Sequence, residues 1–177
     1  MRYLLTIAAL LIGNEAFSQS WKDDIYESGK YAATYKDAET GKVTVQSREN
    51  IVLINNDDTI SITIMKPEGG KLAFVATIDG LDLCMPDKAP VYIEFSNNAV
   101  DNFESQTEEN CTGNVRFSLG GKWKRKKTIG LMREQLVRKI SIGGTDENHY
   151  YMLSREDALE LRKTVNCVLY LQEPYID

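Results

Sequence analysis

Thr59–Met65 reads "TISITIM". Ile60, Ile62 and Ile64 alternate with Thr59, Ser61 and Thr63, and successive side chains of a strand point to opposite faces. Three isoleucines therefore share one buried face. "VYIEF" at 91–95 repeats the device, with Val91, Ile93 and Phe95 on one side and Tyr92 and Glu94 on the other. Strands covered on both faces read as continuous apolar runs, so one buried and one wet face per strand argues for an antiparallel sheet.

Outward from this stretch, "VTVQS", "NIVLI", "KLAFVATI" and "NVRFSL" are further short runs rich in β-branched and aromatic residues. "NNDD", "KPEGG", "MPDKAP" and "LGGK" separate the strands with turn chemistry. The last third changes character. "TIGLMREQLVRKI" opens as a short helix, after which "VRKISI", the turn "GGTDEN" and "HYYML" read as a β-hairpin. Ser154 stands three residues before Asp157, the spacing of a capping box, and Ala158, Leu161 and Val165 fall on one helical face. "CVLYL" beyond them reads equally as more helix or as a final strand. The expected class is mainly β (α+β): an antiparallel β-sandwich or strongly bent sheet with a C-terminal α-helix packed on it.

Residues 1–18 are expected to be a cleaved signal peptide: one Arg at position 2, an apolar run from Tyr3 to Ile12, and small residues Ala16 and Ser18 before the cut. Spanning a bilayer takes about 20 apolar residues, more than this run supplies, and no transmembrane segment is expected after cleavage. Removing 18 of 177 residues leaves 159, residues 19–177, expected as a single β-rich domain. The cut takes one Arg and one Glu, so the net charge stays at −5. An acidic, exported chain is not expected to take nucleic acid as a partner. Localisation in the periplasm or outside the cell of a Gram-negative bacterium follows from the same segment.

Three cysteines, Cys84, Cys111 and Cys167, would enter an oxidising compartment, where three thiols allow one disulfide and leave one over. Cys84 ends a strand and Cys111 lies in polar "TEENCTGN", so this pair is favoured, although connectivity cannot be deduced from spacing. No C-x-x-C motif and no set of four close Cys or His ligands is present, so neither a redox pair nor a zinc site is expected. Calcium is disfavoured because "NNDD" (55–58) and "TDEN" (145–148) lack the EF-hand ligand order. No phosphate-cradling loop appears, and no cofactor is expected. His149, the single histidine, has no nucleophile signature near it and reads as a turn-edge residue; no catalytic residue is assigned.

One stretch runs against the acidic balance. "GGKWKRKKTIG" (120–130) places Lys122, Lys124, Arg125, Lys126 and Lys127 around Trp123, and two glycines before it place it in an exposed basic loop. Such a run is either a solvated turn or a contact surface for an anionic ligand or an envelope protein. The order in the C-terminal third, from "VRFSL" through basic and aromatic residues, "VRKISI" and "YYML" to a Ser-capped helix ending near a Cys, resembles small exported Gram-negative proteins of unknown function. It is also distantly similar to the VasI-like accessory proteins associated with type VI secretion. "LCMPDKAPVYIEF" departs from that pattern, which has a more basic strand end around its first Cys. The resemblance implies a β-rich, disulfide-bearing envelope domain with no catalytic residue to carry over. The expectation is a non-catalytic binding or interaction module. A periplasmic immunity or inhibitor protein that neutralises a cationic enzyme, and a carboxylate-based hydrolase, are the other classes the sequence leaves open.

Overall fold

The computed structural model describes residues 28–55, 58–80, 84–119 and 122–171. The expected signal segment, 1–18, lies outside them. A short helix α1 (Ser28–Tyr31) leads into β1 (Ala32–Lys36), β2 (Val43–Ser47), β3 (Ile51–Ile54), β4 (Thr59–Pro67) and β5 (Ala73–Asp79). Then come β6 (Pro90–Phe95), β7 (Val100–Glu104), β8 (Asn114–Ser118), helix α2 (Lys122–Glu134), β9 (Val137–Gly143), β10 (Asn148–Met152) and helix α3 (Arg155–Tyr170). The strands form two antiparallel sheets. The first runs β1-β2-β4-β5-β8 with β3 beside β4, and the second runs β10-β9-β6-β7.

β4 organises the first sheet because it is long enough, at nine residues, to hold two partners on one edge. β5 covers one edge from Thr59 to Met65; along the other, β3 pairs with Thr59–Ile62 and β2 with Met65–Pro67. Ile60, Ile62 and Ile64 are all buried, as their alternation requires, and so are Val91, Ile93 and Phe95 of β6. The mainly β class with a C-terminal helix is therefore the observed one.

The two sheets enclose a single apolar core and meet at two places. On one side Phe103 of β7 stacks on Phe117 of β8 at 5.6 Å between centroids, and Phe117 stacks on its cross-strand partner Phe74 at 5.0 Å. The Gln106 N–H then donates to the Arg116 carbonyl at 2.6 Å. On the other side His149 of β10 reaches Asp58, just before β4, with Nδ1 2.7 Å from Oδ2.

Helix α3 starts at the expected capping box: Ser154 Oγ accepts from the Asp157 N–H, and the Asp157 carboxylate accepts from the Ser154 N–H. Its first half is amphipathic. Its second half, Thr164 to Leu169, is buried at every position, and the helix as a whole packs against α1, α2, β1 to β4 and β9. "CVLYL" thus continues the helix to Tyr170. Cys167 is buried within it and stands outside the disulfide.

β5 and β8 are hydrogen-bonded neighbours, yet the chain between them leaves the first sheet to build the β6–β7 hairpin of the second. The neck of this excursion is closed by the Cys84–Cys111 disulfide and by paired Met85 and Asn110, whose N–H groups donate to each other's carbonyls at 2.7 and 3.0 Å. Gly113 sits at the same neck with φ +65°, and a Cβ there would lie 2.1 Å from the Ile78 carbonyl oxygen. Only glycine fits. Among the described residues no helix is long and apolar enough to cross a membrane.

Candidate functional site

The basic run is not a loop. Lys122 to Lys127 form the first half of α2, because Lys and Arg are good helix formers and the segment after them supplies an inward face. Thr128 and Met132 of that face are buried, and Ile129 and Leu131 pack against the core. Thr128 Oγ1 donates to Asp101 Oδ2 at 2.6 Å, and Lys127 Nζ lies 3.8 Å from Asp101 Oδ1. Asp101 is 5% exposed and its partner lysine 68% exposed. The contact therefore pins the helix to β7 through the threonine, while the lysine adds little, since water screens it.

A helix turns about 100° per residue, so six consecutive positions pass more than once round the axis. The backbone of the run therefore covers more than one helical turn. The first turn holds no acidic side chain, and the helix dipole adds partial positive charge at the same end. Cations placed there repel one another and favour an anion nearby.

His149 departs from its expected turn-edge setting. It is 3% exposed and held by Asp58, one of the acids of "NNDD". A strand alternates its faces, and at this position the inward face falls on the histidine. Tyr151, two residues on, points inward as well and is fully buried. Burial, and then the Asp58 charge, push its hydroxyl above the ordinary tyrosine range. The His149–Asp58 pair joins the two sheets. Among the described residues no three of His, Cys, Asp and Glu gather closely enough to hold a metal ion.

Two concave surfaces escaped the sequence reading. The larger, about 610 Å³, lies between α1 and the start of α3; its acids Glu49, Glu156 and Glu160 are interleaved with Lys30, Arg155 and Lys163. Two cations, Lys30 and Lys163, lie over the Tyr31 ring at 5.2 and 5.6 Å. The smaller, about 340 Å³, lies on the outward face of the second sheet. There Tyr92 of β6 and Tyr150 of β10 both register with Ser141 of β9, one strand away on either side. Strands lie about 4.8 Å apart, so the tyrosines stand about 9.5 Å from each other across a serine. Nothing local in "VYIEF" or "HYYML" brings them together; only the register does.

One end of this smaller cleft is built on a bulge. Glu94 pairs with Lys139 but Phe95 pairs with Val137, which leaves Arg138 without a partner position on β6. Arg138 and Lys139 consequently both reach Glu94, the lysine at 3.1 Å. The Lys139 hydrogen bond, helped by Arg138 and opposed by burial, holds the Glu94 carboxyl below the usual carboxylate range. Lys139 Nζ also lies 5.8 Å over the Tyr150 ring. Comparison with protein-family models, curated proteins and solved structures finds no match.

Proposed function

We propose that this protein is an exported, non-catalytic binding module of the bacterial cell envelope, and that it contacts an anionic ligand or protein partner through Lys122, Trp123, Lys124, Arg125, Lys126 and Lys127. The observation that carries the reading is the run of five cations in the first half of α2, with no acid in the first turn. In a chain whose net charge is −5, such a run concentrates positive potential in one place. The arrangement favours an anion wherever the partner comes from. Export is supported by the layout of residues 1–18 and by the Cys84–Cys111 disulfide, a bond that oxidising compartments sustain. Kinship with the VasI-like accessory proteins belongs to the same proposal, as does the periplasm as its place.

Replacing the five cations together by glutamine tests it. Pull-down from an envelope extract with the full protein is expected to recover partners that the variant loses, and raising salt is expected to release them. A variant that retains every partner would sink the reading.

A further inference from the structure

The outward cleft of the second sheet shares no lining residue with the basic run of α2 and has a different chemistry. Tyr92 and Tyr150 are 44% and 47% exposed, whereas Ser141 between them is 7% exposed. Two aromatic faces thus rise on either side of a low floor. The floor continues to Gly143, where a Cβ would lie 2.7 Å from the Pro90 side chain, so no larger residue fits without displacing it. Both rings stand on a hydrogen-bonded sheet, and Lys139 buttresses Tyr150.

The two charged residues that line the cleft, Glu94 and Lys139, are paired with each other, and Arg138 reaches the same carboxylate. Glu94 is taken by Lys139 and Arg138, so a charged ligand would have to compete with a formed ion-pair network. Beside that ion pair, the polar and aromatic groups lining the cleft are neutral: the Tyr92 and Tyr150 rings, the Ser141 hydroxyl and the Asn148 amide. Its volume is at the lower end of the range of about 300–1,000 Å³ for small-molecule sites.

We propose that this cleft binds a neutral glycan, with sugar rings stacked on Tyr92 and Tyr150 and hydroxyls meeting Ser141 and Asn148. A pyranose ring has an apolar C–H face and a hydroxyl rim. It matches an amphipathic tyrosine platform beside neutral hydrogen-bonding groups. Two platforms, two strand spacings apart, offer more aromatic contact than one sugar ring can cover edge to edge, so an oligosaccharide is the expected ligand.

The test is calorimetric titration of the full protein with three neutral tetrasaccharides: β-1,4-linked glucose, β-1,4-linked N-acetylglucosamine and β-1,4-linked mannose. At least one is expected to bind with little dependence on salt, since no charge pairing is involved. Tyr92→Ala and Tyr150→Ala are each expected to weaken it about tenfold or more, and the double variant to abolish it. Tyr92→Phe and Tyr150→Phe keep the platforms and are expected to stay within about threefold. The five-glutamine variant of α2 is expected to bind the sugar unchanged, which separates failure here from failure of the proposed function. Circular dichroism checks that the alanine variants keep the fold. The proposal is overturned if no tetrasaccharide binds at millimolar concentration, or if binding ignores both alanine substitutions. It is also overturned if sedimentation shows that the two tyrosines instead hold a second copy of the chain.

Discussion

His149 and Asp58 are 91 residues apart in sequence and 2.7 Å apart in the structure, which is why neither announced the other. The histidine reads locally as a turn residue beside Asp146 and Glu147. Its burial depends on the strand-face phase set by the core, and its partner depends on which sheet edges meet. Tyr151 shares this setting and has a consequence that can be measured. Its hydroxyl is buried with no hydrogen-bond partner among the described residues, and its pKa is raised by burial and by Asp58. A tyrosine whose pKa is higher folded than unfolded gives stability that is complete below the unfolded value, near 10, and is lost as pH rises toward the folded one. Urea unfolding as a function of pH should therefore show stability falling above about pH 10, with a shallower fall in Tyr151→Phe. At neutral pH the same substitution should be neutral or stabilising by up to ~1 kcal/mol, because it removes an unsatisfied buried hydroxyl.

Among the elements, β4 and β6 declare themselves because alternation is unbroken in "TISITI" and "VYIEF". β7, "VDNFE", does not, because one of its two inward positions is Asp101, a carboxylate that becomes tolerable only when Thr128 of α2 hydrogen-bonds to it. β1, "AATYK", is an edge strand whose apolar content is too slight to register. Helix α2 hides its own start: cations in a first turn oppose the helix dipole, and Gly130 interrupts its middle. Tertiary packing of Thr128 and Met132 overrides both signals. By contrast α3 begins where its capping box says, and Ser154→Ala should lower stability by about 1 kcal/mol in urea unfolding. The ambiguity of "CVLYL" came from the same source as its burial. A helix segment buried at every position loses its amphipathic stripe, and without the stripe a short apolar run cannot be told from a strand.

At the scale of the molecule, the sequence conveys the class and favours the Cys84–Cys111 pair without fixing it, while the division into two sheets and the cleft between Tyr92 and Tyr150 arise only when the register is known. The disulfide also has a whole-molecule energy. It closes a loop of 27 residues, for which the loss of unfolded-chain entropy is about 3–4 kcal/mol. Replacing Cys84 and Cys111 together by serine should reduce the free energy of unfolding by roughly that amount. The excursion it closes leads to a topological consequence. β6 and β7 are a lariat drawn out between two adjacent strands and knotted at its neck. A protease that cut the Asn97–Asn98 turn would leave the two ends of the break joined through sulfur, so that the chain would be severed in sequence but remain one covalent body until a reductant reached it.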